Sequence, residues 1–284
     1  MNKRKKKITP ARAASGFVKY FSLTFFAFIA LLPLVSVLIT ALKNNEEYAS
    51  TNVMSLPSKI NFANFADAFT TANMGRAFIN STIILVFVLL ISTLLGTQIA
   101  YVLNRFKFKG NAAIRNLFLF ATLIPGIAMQ VSVYEIMTNL GLINKLYGYI
   151  ILMCGTDVIS IYVYLQYFEN LPTSLDESGV IDGAGYFRIY RSILLPLLKP
   201  AIVTSCILKG VGTYNEYYCA NLYLQDKKNY STVATSLYTF VGPLGSQYNM
   251  ICAGVIISLL PALIVFLVCQ KQIYAGLTAG SVKG

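Results

Sequence analysis

A few polar and charged residues set inside apolar runs are the groups in this chain that could do chemistry. Asp157 interrupts Leu146–Phe168, and Lys209 and Glu216 interrupt Pro200–Leu224. A charge within a membrane span costs about 2.5–3.5 kcal/mol on insertion scales, so each needs a partner or a task. Asp157 either lines a polar path or pairs across helices with Lys209. The stretch Gly212-Thr213-Tyr214-Asn215-Glu216-Tyr217-Tyr218 concentrates aromatic, amide and carboxylate groups. These either face a solute path or pack and hydrogen-bond neighbouring helices. Enzymatic chemistry has little to work with. Histidine and tryptophan are absent, which excludes a Ser-His-Asp or Cys-His nucleophile, a His-ligated metal and a His-held haem. Cys154, Cys206, Cys219, Cys252 and Cys269 are odd in number, far apart and set in apolar runs. Neither a disulfide framework nor a zinc cluster fits them. No catalytic residue and no metal site is expected.

A second constellation lies in Leu171–Pro200. Ser174 followed by Glu177 has capping-box spacing, so a helix is expected to start there. Val180, Ala184, Phe187, Arg191 and Leu194 recur with helical period and make one largely apolar face. Gly179 and Gly183 leave a bare strip where another backbone can approach, and Leu195-Pro196 is expected to end the helix. The segment is either a helix gripped by a partner or one lying on the membrane surface.

The elements that must position these residues are membrane spans. Of 284 residues, 56% are hydrophobic and only 12% charged, about half the usual globular share of roughly 25%. Tyr20–Leu42, Ala77–Asn104 and Asn116–Tyr134 carry no charge, and a span needs about 20 mostly apolar residues. Leu146–Phe168 and Pro200–Leu224 add two weaker spans. Asn229–Gln270 is too polar in its first half, so the sixth span is placed at Ile251–Gln270. Asn229–Met250 is left outside as a loop or short surface helix. The first run exceeds the 7–15-residue core of a signal peptide and reads as a retained anchor. Sixteen Lys and Arg fall on one side of this layout, led by the tail Lys3, Arg4, Lys5, Lys6, Lys7, Arg12 and Lys19, against six on the other. That bias places both termini in the cytoplasm. It accounts for the net charge of +12 through topology and anionic lipid, not nucleic acid.

Glu177, Asp182-Gly183-Ala184, Ile193 and Leu195-Pro196 resemble the EAA motif of ABC importer permeases, with Ser178 and Gly179 where the motif has two alanines. Gly141-Leu142-Ile143-Asn144 and the tail Gly276–Gly284 resemble the maltose-type, carbohydrate-uptake branch. The tail and short N-terminus are similar to the second, shorter permease of a pair. The resemblance implies an all-α membrane protein of the type I ABC importer permease fold. Six transmembrane helices would occupy residues 20–275, with a cytoplasmic EAA coupling segment at 171–200, a basic tail at 1–19 and a C-terminal tail at 276–284.

The resemblance also implies partners and roles. A homologous second permease, two ATPase subunits and an extracellular or periplasmic sugar-binding protein would act with this chain in the bacterial cytoplasmic membrane. Glu177, Ser178, Gly179, Asp182, Gly183 and Ala184 would form the ATPase-coupling segment. Glu177 would sit at the ATPase contact, Gly183 at a turn or close-packing point, and Asp182 would hold the loop by polar links. Gly280, Lys283 and Gly284 would enter the groove between the ATPases. Tyr214 and Asn215 stand where the family often has Trp-Asn, and with Glu216, Tyr218 and Asp157 they would line a sugar pathway. ATP and Mg would be bound by the partner ATPases, since this chain has no G-x-x-x-x-G-K-[ST] to cradle phosphates. The alternative, a single-chain secondary transporter of a small polar solute, leaves the 171–200 segment without a task.

Overall fold

The computed structural model describes residues 10–155, 157–243 and 245–279, with side chains described for residues 16–270 of these. The chain is helical almost throughout: α1 Pro10–Ala41, α2 Asn45–Ser50, α3 Ala63–Thr71, α4 Met74–Arg105, α5 Asn111–Thr122, α6 Gly126–Asn139, α7 Leu146–Met153 and α8 Val158–Glu169. Next come α9 Ser174–Ile181, α10 Tyr186–Ile189, a π-helical turn Tyr190–Leu194, α11 Leu195–Leu197, α12 Lys199–Tyr214 and α13 Tyr218–Tyr223. The last elements are α14 Lys227–Tyr230, α15 Val233–Ser236, a 3-10 turn Leu237–Phe240, strands β1 Val241–Gly242 and β2 Gly245–Ser246, and α16 Tyr248–Ala279. The strands pair antiparallel, Val241 with Ser246 and Gly242 with Gly245.

Three stretches, Gly16–Ala41, Met74–Arg105 and Tyr248–Gln270, are single helices long and apolar enough to cross a membrane. The other apolar runs are broken. The run expected as the third span is α5 and α6, bent by 101° at the break that Pro125-Gly126 suggests. Pro125 stands at the break with φ −62° and ψ 120°, because it has no N–H to donate and drives its predecessor out of the helical region. α7 and α8 are bent by 46°, and Tyr186–Leu197 meets α12 at 74°. The expected fifth run divides into α12 and α13, separated by Asn215, Glu216 and Tyr217. α1 starts at Pro10, within the expected basic tail. α16 starts at Tyr248, runs through Pro261 without interruption and continues to Ala279, past the expected tail boundary. Gly280, Lys283 and Gly284 lie outside the described residues.

The chain forms two compact units. In the first, residues 1–71 with 240–259, the fully buried Lys43 donates to Thr51 Oγ1 at 3.0 Å, Asn52 O at 2.7 Å and Ser55 Oγ at 2.9 Å. Asn64 Nδ2 donates to the Ala41 and Lys43 carbonyls at 2.7 Å each. In the second unit, residues 72–239 with 260–284, α4 is the central column and packs against α7, α8, α12, α14 and α15. A cluster of Tyr101, Ile161, Tyr164, Phe168, Tyr190 and Leu194 fills the Arg105 end of this column. Ile84, Val88, Tyr149, Ile150, Tyr223 and Leu224 form a second cluster. The large apolar side chains of α1 and α16 are exposed in bulk, as on Phe17, Phe26, Leu263 and Val268. Surface of that size is suited to lipid.

Candidate functional site

The segment after α8 is two helices and a turn, not the one amphipathic helix expected. α9 is capped at Thr173, one residue earlier than expected, with no side-chain cap bond, so the Ser174–Glu177 box does not form. Its end is closed by paired reverse bonds. Ala184 N donates to Gly179 O at 2.9 Å and Gly183 N to Val180 O at 3.0 Å. This closure puts the residue after the cap in the left-handed region, and Gly183 has φ +75°. A Cβ on Gly183 would meet nothing within 4 Å, whereas one on Gly179 would lie 2.8 Å from Ile189 Cγ1 and 3.2 Å from Ile193 Cδ1. Gly183 is therefore the turn and Gly179 the close-packing point.

The expected apolar face is split. Leu194 is fully buried, while Val180, Ile181, Tyr186 and Phe187 are exposed around the turn. Glu177, Ser178 and Asp182 are exposed, and Ala184 is half-buried against the core. Among the described residues Asp182 makes no side-chain hydrogen bond, so it does not supply the polar links expected of it. Leu195-Pro196 does not end the helical stretch either. The chain continues through α11 and bends at Leu198.

The polar links come from Arg105, at the end of α4. Its Nε stands 3.1 Å from Asp176 Oδ2, with the side chains only 10% and 17% exposed. Its guanidinium donates to Leu171 O at 3.0 Å and lies over the Phe168 ring, 5.9 Å from the centroid. Tyr190 adds a buried hydroxyl contact with Thr97 Oγ1 at 2.8 Å and packs on Tyr101 at 5.4 Å between centroids. Arg105 was legible only as a topology charge. The signal for more was its type, since an Arg fork reaches two acceptors where a Lys reaches as a point.

The expected pathway residues fall at helix breaks. Asp157 is the N-cap of α8, accepting from Ser160 Oγ at 2.7 Å and Ser160 N at 3.4 Å. Among the described residues the ion pairs are Arg105–Asp176 and Arg115–Glu169, so the Asp157–Lys209 pair does not form. Tyr214 ends α12, and exposed Asn215 donates back to Val211 O at 3.0 Å. Glu216 Oε1 accepts from Cys219 N at 2.9 Å and so starts α13. Tyr217 stacks on Tyr238 at 3.9 Å, and Tyr218 is exposed. Asp157 stands at a separate break from the Tyr214–Tyr218 group.

Together these residues build a broken-helix core beside a helical turn rimmed with apolar side chains. It offers a surface for a partner and polar backbone inside a bundle. Residues 92–274 match the family described as binding-protein-dependent transport system inner membrane component. The chain belongs to this family. The permease is thus a transport subunit of an ABC importer and not an enzyme, with ATP hydrolysed by separate ATPase subunits. It is 32% identical over 255 residues to the melibiose/raffinose/stachyose import permease protein MelC of Bacillus subtilis, covering 89% of this chain and 91% of that protein. It is 30% identical over 276 residues to the probable starch degradation products transport system permease protein AmyC of Thermoanaerobacterium thermosulfurigenes, covering 94% and 98%. Maltodextrin transport system permease protein MalD of Streptococcus pneumoniae is 29% identical over 270 residues, covering 93% and 94%. The permease also superposes on a chain of a bacterial ABC transporter involved in the import of the acidic polysaccharide alginate, with TM-score 0.80, 22% identity and coverage of 93% and 98%. The type I permease fold is therefore that of this chain, and the matched span takes in the 174–197 segment and the α12–α13 break.

Proposed function

We propose that the permease moves a sugar or oligosaccharide into the cell by alternating access, driven by two ATPase subunits that bind ATP and Mg. It would pair with a homologous second permease, as the shorter member, and receive substrate from a sugar-binding protein. In this reading α1, α4, α5–α6, α7–α8, α12–α13 and α16 are six spans of a bacterial cytoplasmic membrane protein with both termini inside. The substrate class is supported by the names of three relatives, each a carbohydrate import permease.

The observation that carries the mechanism is the apolar rim Val180, Ile181, Tyr186 and Phe187 around the Gly183 turn. Such a patch, next to exposed Glu177, fits a cleft on an ATPase subunit better than water. Gly179 lets α9 sit directly on Ile189 and Ile193, so a push on the rim moves the segment as one piece. Tyr214, Asn215, Glu216, Tyr218 and Asp157 would line the pathway, where unwound backbone is tolerated only beside protein or a polar cavity. Gly280, Lys283 and Gly284 would reach between the ATPases.

The test is ATP-dependent uptake of a panel of labelled oligosaccharides by the complete complex in proteoliposomes, with its binding protein. Uptake of at least one of them, abolished by Phe187→Asp in this chain, is expected. Uptake driven by an ion gradient without the ATPases would overturn the proposal in favour of a secondary transporter.

A further inference from the structure

α4 is fastened at both ends to segments distant in sequence. At one end Arg105 binds Asp176 and Leu171 O, while Tyr190 binds Thr97. At the other, Asn80 Nδ2 donates to the carbonyls of Asn229 and Ser231, at 2.9 Å each. Val233 N donates to Ser81 Oγ at 2.9 Å, and Asn73 Nδ2 donates to Lys228 O at 3.2 Å. Asn80 is 3% exposed and Ser81 5%, so water does not compete for these bonds. α4 as a whole runs unbroken for 32 residues with no proline, roughly 48 Å at 1.5 Å per residue.

Its neighbours in the same unit differ in one mechanical respect. α5–α6, α7–α8 and the stretch through α11 into α12 each contain a bend of 46–101°. A displacement entering a bent pair is absorbed at the break, where backbone bonds are already open. A continuous helix instead passes an axial shift or tilt along its whole length, because every turn is bonded to the next. The segment 228–233 has only four-residue helices of its own, and its backbone carbonyls are held by side chains of α4. It must follow that end of the helix.

We infer that α4 is the rod that carries displacement of the coupling segment to residues 228–233, with Arg105 and Asn80 as positioning residues at its two ends. This rests on the reading of residues 174–197 as the ATPase contact. The device works in both directions: a ligand engaging the 228–233 side alters ATP turnover through the same two fastenings, since coupling between two sites is reciprocal.

The experiment uses the whole complex with its binding protein and measures ATP hydrolysis with and without the loaded binding protein. The ratio of the two rates is the readout, because a merely structural defect lowers both together. Couplings of this kind are about 5–150-fold, so Arg105→Gln and Asn80→Ala are each expected to cut the ratio at least about 5-fold. Elements in series fail together, so the double variant should lose no more than the worse single one. Arg105→Lys keeps the charge without the fork and should recover part of the ratio, which also serves if Arg105→Gln does not assemble. In parallel, Ile181→Cys is crosslinked to an ATPase subunit. A crosslink with an unchanged ratio in both variants overturns the rod and leaves the coupling reading standing. Absence of the crosslink overturns both.

Discussion

After α9 the chain turns at Gly183, and after α6 it turns at Gly141, with φ of +75° and +65°. Both ends close with the same pair of reverse bonds, at the second site from Leu142 N to Met137 O and from Gly141 N to Thr138 O, 2.9 Å each. The residues beyond the glycine set the two turns apart. Beyond Gly141, Asn144 N donates to Tyr223 O and Asn144 Oδ1 accepts from Asp226 N, both at 2.8 Å, and Gly148 packs on the Leu142 carbonyl. That turn is closed by its own chain. Beyond Gly183 come Tyr186 and Phe187, both exposed. One local motif thus yields a finished loop in one place and an unfinished surface in the other. Backbone closure fixes the shape of a turn, and the side chains after it decide whether the partner is internal.

Breaking the closed turn should have the largest effect. A Cβ on Gly148 would collide with the carbonyl oxygen of Leu142, and backbone cannot yield as a side chain tip does. Overpacking of this kind costs about 1–3 kcal/mol. Gly148→Ala should lower the thermal midpoint of the purified complex, while surviving complex still retains the ATPase. A midpoint equal to the parent would mean that the loop has slack the packing denies.

The two glycines of the coupling segment separate packing from turn. Gly179→Ala places a methyl 2.8 Å from Ile189 Cγ1 and should cost about 1–2 kcal/mol, the lower part of the overpacking range. Gly183→Ala meets no atom and bears only the left-handed backbone strain of about 1 kcal/mol. Uptake should therefore fall further for Gly179→Ala than for Gly183→Ala, and Gly183→Asn should sit near the parent because Asn tolerates that region. The reverse order would return the close-packing role to Gly183.

The contrast shows what the sequence makes legible. Charge-free runs such as Ala77–Asn104 announce α4 because a long uncharged stretch has few folds open to it in lipid. The same signal cannot show that α5 and α6 diverge by 101°, since apolar composition is blind to direction. Gly183 was visible as a glycine, but whether it turns or packs depends on which residues close over it. Asp182 looked like the anchoring carboxylate, and Asp176 holds that place because the helix phase turns Asp176 toward Arg105. Which face of α9 meets the end of α4 is decided by packing between segments far apart in sequence, and no local pattern carries it.

A smaller effect is expected at the α12–α13 break. Tyr214 stands at its edge, and loss of an aromatic contact is worth on the order of 1 kcal/mol. Tyr214→Ala should reduce uptake several-fold at low sugar concentration while ATPase copurification and the thermal midpoint stay at the parent level. A drop in copurification instead would assign Tyr214 to packing.

The smallest effect concerns acid at the closed turn. Asp226 caps α14, accepting from Asn229 Nδ2 at 2.7 Å and Asn229 N at 3.1 Å. These bonds hold its carboxyl below the ordinary value of 3.8. A carboxyl whose folded value lies below its unfolded one stabilises the loop only when ionised. That contribution is complete above the unfolded value and is lost as pH falls through the folded one. The mobility of a spin label at Lys228→Cys should therefore be the same at pH 7 and pH 5 and rise only in stronger acid. Asp226→Asn removes the carboxylate at every pH and should raise label mobility modestly at pH 7, with no further acid step from this residue. A transition between pH 5 and 7 would mean that another group governs the turn. An unchanged label in Asp226→Asn would show that Asn144 alone, through its bonds to Tyr223 and Asp226 backbone, is enough to keep it closed.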